Sequence, residues 1–595
     1  MAFLPDFTSK SIEMNCMAKT ASKITCLLLW ITAGCGGESN PKSVGIVENS
    51  NATAPNLSTD HQTNEDDAPI QFFDVTAQSG INYRHVSGTT SEKATPTANG
   101  SGIAVLDYDN DGQMDLYFAQ STQIPVDPLS RNTGKLFRNL GANQFKDVTQ
   151  ESGLGEITYF THGAIAADID NDGDTDLYLC NFGKNALYLN QGGRFTNIST
   201  SSGTDYDGWS SSAAFLDYNS DGLLDLYVST YGDWKYPQDN RFCGDTKKNV
   251  RLYCDPKEIR PSPDILYKNL GAGKFVDVSE KAGINRPDGH GFGVITADFN
   301  QDSRTDIYVA NDQDPNFLFI NKGDGTFEDS TSASGAALDH RGHAQAGMGV
   351  DAEDLDGDGL PEIIVTNFAN EPNTLYRNLG QGLFMDVSAA WGIIPASLPH
   401  VGWGTTLTDF DMDGWPDLFV ANGHLDENRH LLGENVRQEQ PPLLFRNNKG
   451  IKFINLESNA GPYFKSEHVG RGIAWGDLDN DGDTDLIISH KDNNPSVLRN
   501  DSSLSDKHWI RLKLVGMKSN RDGIGARIEI QTETRKITRL RKGGCGLMST
   551  HDPRLTIGLG PIDLIKEVKV TWPSGVVTQI QQVKTDQELT IIESK

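Results

Sequence analysis

One word recurs seven times between residues 100 and 490, a loop of the form Asp-x-Asp-x-Asp-Gly-x-x-Asp. Its first copy is Asp107-Tyr108-Asp109-Asn110-Asp111-Gly112-Gln113-Met114-Asp115. Acids at positions 1, 3, 5 and 9, with a glycine at 6 for the turn, draw hard oxygen ligands towards one point. That suits Ca²⁺, which takes about 6–8 oxygens in a tolerant geometry. An EF-hand opens the same way but closes on a Glu at position 12 between two helices. Here the closing acid stands at 9, and the flanks Ile103-Ala104-Val105-Leu106 and Leu116-Tyr117-Phe118-Ala119 read as strands.

The expected metal ligands follow loop by loop. They are Asp107, Asp109, Asp111 and Asp115; Asp168, Asp170, Asp172 and Asp176; Asp217, Asn219, Asp221 and Asp225; and Asp298, Asn300, Asp302 and Asp306. The last three loops supply Asp354, Asp356, Asp358 and Glu362; Asp409, Asp411, Asp413 and Asp417; and Asp477, Asp479, Asp481 and Asp485. Asx-rich turns between strands are the plainer reading of any single loop. Seven copies of the full spacing favour metal. The fourth loop is expected to be the weakest, with Asn300 at position 3 and Ser303 in place of the glycine. The formal charge of −29 argues against nucleic acid as a partner. Seven bound Ca²⁺ would carry it from −29 to about −15.

Two further motifs recur between the loops. A Leu-aromatic-x-Asn strand appears as Leu136-Phe137-Arg138-Asn139 and as Leu266-Tyr267-Lys268-Asn269. A Phe-x-Asp strand appears as Phe145-Lys146-Asp147 and as Phe275-Val276-Asp277. Each repeat of roughly 60 residues thus holds four strands, the unit of a β-propeller. Phe73-Asp74-Val75 stands before the first loop, and the last repeat stops at Asn500 without such a strand. The N-terminal strand can therefore complete the last blade and close the ring, which removes exposed edges. The expected fold is all-β: a seven-bladed β-propeller over 71–500 with calcium-binding inter-strand loops, plus a small C-terminal β-rich domain over 508–595.

These repeats resemble the FG-GAP/VCBS repeats of integrin-α-like propellers, and the resemblance implies Ca²⁺ in the acidic loops. Ser519-Asn520-Arg521-Asp522-Gly523-Ile524-Gly525-Ala526, Gly558-Leu559-Gly560 and Trp572-Pro573-Ser574-Gly575 resemble the ASPIC/UnbV domain. That domain follows such propellers in cartilage-acidic-protein-like and bacterial proteins, and it implies no assigned chemistry. Trp572 reads as packing. The basic run Arg535, Lys536, Arg539, Arg541, Lys542 reads first as a solvated strand face, with docking on the acidic propeller or on an anionic glycan as the alternatives.

Residues 1–35 are expected to be an export signal. Lys19 and Lys23 precede the apolar run Ile24–Ala33, which ends at Ala33-Gly34-Cys35, so Cys35 is a candidate lipidation site. Residues 36–70, rich in Asn, Ser, Thr and Pro, read as a disordered tether. Nothing later reads as a membrane helix, so any membrane contact is expected through the lipid anchor only. Cys243 and Cys254 flank a short polar loop and are a candidate disulfide in an exported chain.

His162, His290, His343, His400 and His468 each precede a loop's first Asp by a short interval. One reading gathers them on a propeller face as a ligand or transition-metal site. The other has each capping its own turn. The functional expectation is an exported, monomeric, calcium-binding module of the outer membrane, cell surface or periplasm, or a secreted one. Its partner would be a glycan or an extracellular or envelope protein. The alternative is a carbohydrate-active lyase or hydrolase working through the histidine face.

Overall fold

The computed structural model describes residues 70–127, 132–156, 158–544 and 546–595, all within one compact unit. The expected signal with Cys35, and the tether up to residue 69, lie outside the described residues. The fold is all-β and propeller-like.

Among the described residues, the strands before the C-terminal module fall into seven antiparallel groups of four, two of them joined into one eight-stranded sheet where Asp207–Leu216 pairs with Asp176–Lys184, plus a two-stranded hairpin of Cys243–Asp245 and Val250–Leu252. In the first, Ile103–Leu106 runs into the acidic loop, Asp115–Phe118 runs out, and Lys135–Asn139 and Phe145–Asp147 follow. Burial falls off along this order. The first two strands are buried at every residue, the third at Leu136, Phe137 and Asn139, and the fourth buries only its phenylalanine. The sequence follows that gradient, with small and apolar residues inside and the single Phe of Phe-x-Asp at the edge.

Apolar clusters lie between successive groups. Phe118, Phe137 and Phe145 of the first group pack with Ala474, Ile487 and Val497 of the last. The join is also made by backbone: Phe72–Asp74 pairs antiparallel with Ser496–Asn500, Phe72 opposite Asn500. The N-terminal strand completes the last group, as the sequence implied.

The C-terminal module is two facing sheets. One holds Leu555–Gly560, His508–Val515 and Gln587–Ile592. The other holds Lys536–Leu540, Arg527–Gln531, Leu564–Thr571 and Val577–Lys584. Trp572 is buried between them and its indole donates to Thr578 Oγ1 at 2.9 Å, a packing role.

Between Leu540 and Leu555 the module sends a segment along the innermost strands of the repeats. Gly543 bridges Thr296, Gly546 bridges Val350 and Thr550 bridges Ala104. The Met548 carbonyl accepts from Ala164 N at 2.9 Å, Met548 N donates to Ser212 Oγ at 3.3 Å, and Asp552 N donates to the Trp475 carbonyl at 2.9 Å. Six of the seven groups are touched in this way, and Leu547 and Met548 are fully buried. The fit depends on glycine: a Cβ on Gly102 would lie 1.7 Å from the Met548 carbonyl oxygen.

The basic run does not lie in solvent as a plain strand face. Lys542 Nζ sits 2.7 Å from Asp351 and 2.9 Å from Glu353. Arg535 and Arg539 donate to the carbonyls of Asp413 and Gly414 at 2.6 and 3.1 Å. Only Lys536 keeps a half-exposed side chain, paired with Glu529 at 2.9 Å. Buried acids and loop carbonyls of the repeats give these cations partners that solvent would otherwise supply. Among the described residues, no helix is long and apolar enough to cross a membrane.

Candidate metal centres

In the first loop the position-1 carboxylate of Asp107 accepts from Asp111 N and Gly112 N, each at 3.0 Å. Asp115, at position 9, accepts from Tyr108 N at 3.0 Å and Asn139 N at 2.7 Å. These bonds shape the loop around the acids. They leave three of the position-3 acids short of donors: Asp109 Oδ1, Asp170 Oδ1 and Asp479 Oδ1 are buried without a hydrogen-bond partner. Five loops bring three carboxylates together with ligand oxygens within 4.8 Å of one another. They are Asp107, Asp109 and Asp115; Asp168, Asp170 and Asp176; Asp354, Asp356 and Glu362; Asp409, Asp411 and Asp417; and Asp477, Asp479 and Asp485.

Burial, followed by repulsion from neighbouring acids, raises these groups. Asp115 and Asp176 are each pushed up to about 8 by burial, against backbone donors that pull them down. Asp168 is pushed up to about 7 by burial and by the Asp522 carboxylate. Asp409, Asp417, Asp485 and Glu362 are driven well above the ordinary carboxylate range by burial first. A buried carboxylate without a cation is costly. Converging hard oxygens, several of them orphaned, fit a divalent oxygen-loving cation such as Ca²⁺.

The other two loops differ where the sequence does. Asn300 Nδ2 donates to Asp302 Oδ2 at 2.8 Å, so position 3 is satisfied from within the loop. Ser303 takes φ 67° where the other loops use glycine, a conformation that costs a residue with a Cβ. Arg304 then pairs with Asp302. In the third loop Asn219 Nδ2 stands 3.4 Å from Asp225. Asp221 and Asp298 complete these two loops at positions 5 and 1, and each accepts backbone N–H groups of its own turn.

The Leu-aromatic-x-Asn motif finds its reason here. Each of its asparagines caps its own loop through backbone N–H and reaches a neighbouring loop with its amide. Asn139 Nδ2 donates to the Leu478 carbonyl, Asn190 to Tyr108, Asn269 to Ile169 and Asn321 to Tyr218. Asn378 donates to Phe299, Asn447 to Leu355 and Asn500 to Phe410. These seven bonds of 2.7–3.1 Å link all seven loops in one closed circuit.

The five histidines take separate partners. His162 is buried, with Nδ1 3.2 Å from the Gly100 carbonyl and its ring against Trp209, and burial lowers it to about 4. His290 lies 2.6 Å from Asp314 and 2.9 Å from the Ile259 carbonyl; these partners outweigh burial and raise it. His343 is exposed and His400 half-buried. His468 stacks on Tyr463 at 4.1 Å and on His490 at 5.0 Å. Among the described residues, none of the five belongs to a group of three or more side chains placed to share a metal ion. Cys243 and Cys254 form a disulfide with Cα atoms 5.2 Å apart. It closes an excursion between two strands of the third group.

Comparison with known proteins follows the same division. The FG-GAP-like repeat model matches residues 126–179, 168–228, 298–365 and 354–420, and the ASPIC and UnbV model matches 516–595. Cartilage acidic protein 1 of Homo sapiens is 26% identical over 511 residues, spanning 81% of this chain and 70% of its own length. The Xenopus tropicalis protein of that name is 25% identical over 512 residues, spanning 81% and 72%. Among solved structures, the BP39L lectin of Burkholderia pseudomallei is 10% identical, with a TM-score of 0.41, and aligns over 68% of this chain and 97% of its own. A lectin of Agrocybe aegerita that recognises non-reducing terminal N-acetylglucosamine is 16% identical, with a TM-score of 0.36, over 66% and 86%.

Proposed function

We propose that this chain, built of FG-GAP-like repeats and ending in an ASPIC and UnbV domain, is an exported calcium-binding module that recognises a glycan or an extracellular or envelope protein. The seven strand groups are read as seven blades, and residues 1–35 as the export signal with Cys35 as its lipid attachment. Surface, periplasmic and secreted placements all satisfy this reading.

The observation that carries it is the set of five carboxylate trios, three of which keep an orphaned buried oxygen, on Asp109, Asp170 and Asp479. Bound Ca²⁺ would supply the positive charge these oxygens lack. Asp107, Asp109 and Asp115 and their equivalents would hold it, while the asparagine circuit fixes each loop relative to the next. A cation that binds only the folded chain stabilises it by mass action, about 2.7 kcal/mol at a hundredfold excess over Kd. The rigid ring then serves as a platform rather than a reaction centre.

The test is a thermal melt in Ca²⁺ and in EDTA, with elemental analysis of the purified protein. A higher melting temperature in Ca²⁺ and several calcium ions per chain are expected. Equal melting in both buffers, with no calcium retained, would sink the reading. A glycan array and a pull-down of envelope proteins then ask for the partner.

A further inference from the structure

A cavity of about 250 Å³ lies at the ends of the inner strands remote from the acidic loops. Phe292 and Trp403 line it, and each precedes the first acid of its loop, Asp298 or Asp409, by six residues. At about 3.3 Å per residue that is roughly 20 Å from the metal centres. Tyr231, Tyr253 and Phe368 add aromatic surface. Its floor is closed: Tyr231, Phe292 and Trp403 belong to the same buried cluster as Leu547 and Met548 of the module's inserted segment.

Polar side chains share this lining, Asn99, Asp255, Asp312, Gln313, Asp426 and Arg429 among them. Asn99 is 4% exposed, and its Nδ2 has no hydrogen-bond partner. Asp312 is buried and takes the Tyr231 hydroxyl at 2.8 Å on one carboxylate oxygen. Asp426 accepts from Tyr253 N at 3.1 Å and stands 3.8 Å from Arg429. The wall therefore presents donors, Asn99 and Arg429, and acceptors, Asp312 and Asp426, beside flat apolar surface.

That mixture selects a ligand class. An anion would face two carboxylates. An organic cation would suit the rings and acids but leave the Asn99 amide without an acceptor; Arg429 already pairs with Glu434 at 2.6 Å. An apolar ligand would leave the buried Asn99 Nδ2 unpaired, and a buried unpaired polar group costs about 1–3 kcal/mol. Hydroxyl groups both donate and accept, and a sugar ring adds C–H faces that pack on aromatic side chains. The closed floor admits the end of a chain and not its middle. We propose that this cavity binds one neutral sugar residue at the terminus of a glycan. The proposal rests on the binding-module reading and names its ligand class and place.

The experiment uses the full-length chain in Ca²⁺. Saturation-transfer NMR is run with D-glucose, D-galactose, D-mannose and N-acetylglucosamine, and with tetramethylammonium and phosphate as rivals. Binding of at least one sugar is expected, weakened tenfold or more by Asp312→Asn and by Phe368→Ala while the melting temperature holds. Arg429→Met, nearer the rim, gives the same loss should either variant fold poorly. No sugar binding, sugar binding indifferent to all three substitutions, or tetramethylammonium binding sensitive to Asp312→Asn would overturn it. Glycan-array binding that survives the three substitutions removes the cavity while leaving the module reading intact. Silence on both the array and the pull-down removes both.

Discussion

Asn321 shows how much one side chain does in this molecule. Its Nδ2 donates to the Tyr218 carbonyl at 2.8 Å and to the Thr305 carbonyl at 3.1 Å, and its Oδ1 accepts from Gly323 N at 2.9 Å. Asn321→Ala removes all three and leaves two buried carbonyls bare. At about 1 kcal/mol per lost bond, a loss of about 2–4 kcal/mol is expected, read as a lower urea midpoint with an unchanged slope. The Asp residues behave differently because their cost depends on the cation. Asp170 has a buried oxygen with no donor and acidic neighbours. Asp170→Asn is expected to leave melting in EDTA the same or higher, since it removes a repelling charge, and to lower it in Ca²⁺, since it removes a ligand. Paired melts of wild type and variant check the crossing. The asparagine motif was plain in the sequence as a recurrence. Its purpose was not, because the carbonyls it reaches belong to a loop of the neighbouring group: for Asn139 and Leu478 the separation is 339 residues.

The acidic loop is the element that sets solution behaviour. Five loops hold a carboxylate trio, and the two with Asn219 and Asn300 at position 3 do not. Calorimetric titration of the EDTA-stripped chain should show about five tight sites and a weaker remainder, because ligand charge tunes affinity. Seven equal sites would contradict the distinction. The pH response follows from the same acids. Asp115, Asp176 and Asp225 are each pushed up to about 8 by burial in the folded chain, against about 3.9 when unfolded. Between those values the folded state holds more protons than the unfolded one, so stability falls as pH rises. In EDTA the melting temperature should drop from pH 5 to pH 8, and in Ca²⁺ that slope should flatten as the cation replaces the protons. A metal-free slope that is flat or rising would refute it. These loops, the strand pattern and the ring closure through Phe72–Asp74 were readable because each is local or repeated. The histidines were not: nothing beside His290 in sequence announces Asp314 or the Ile259 carbonyl as its partners.

At the scale of the whole molecule, the two families of strand are one structure. The segment between Leu540 and Leu555 carries Gly543, Gly544 and Gly546, and glycine is required there for clearance as much as for turning. Gly543 has no room for a Cβ, which would meet the Phe215 carbonyl oxygen at 1.8 Å. Such contact between segments hundreds of residues apart leaves no periodic trace, which is why the basic run read as a solvated face. The docking cations also touch the metal loops: Arg511 pairs with Asp477, and Lys507 Nζ lies 3.4 Å from Asp411. Seating of the module and shape of the loops are therefore physically joined. Gly102→Ala tests the seat with one methyl group. Gly102 is not in a left-handed conformation, so its backbone accepts alanine, and the obstacle is Met548, its carbonyl oxygen at 1.7 Å and its Cβ at 2.9 Å. The segment must back away from the strands it bridges. Overpacking of this kind costs about 1–3 kcal/mol, and the displaced module should expose the connector at 501–507 to protease. The expected result is a lower urea midpoint together with faster tryptic cleavage at Lys507, in Ca²⁺ as well as in EDTA. A variant that matches wild type in both measurements would mean that the segment does not hold the module to the ring.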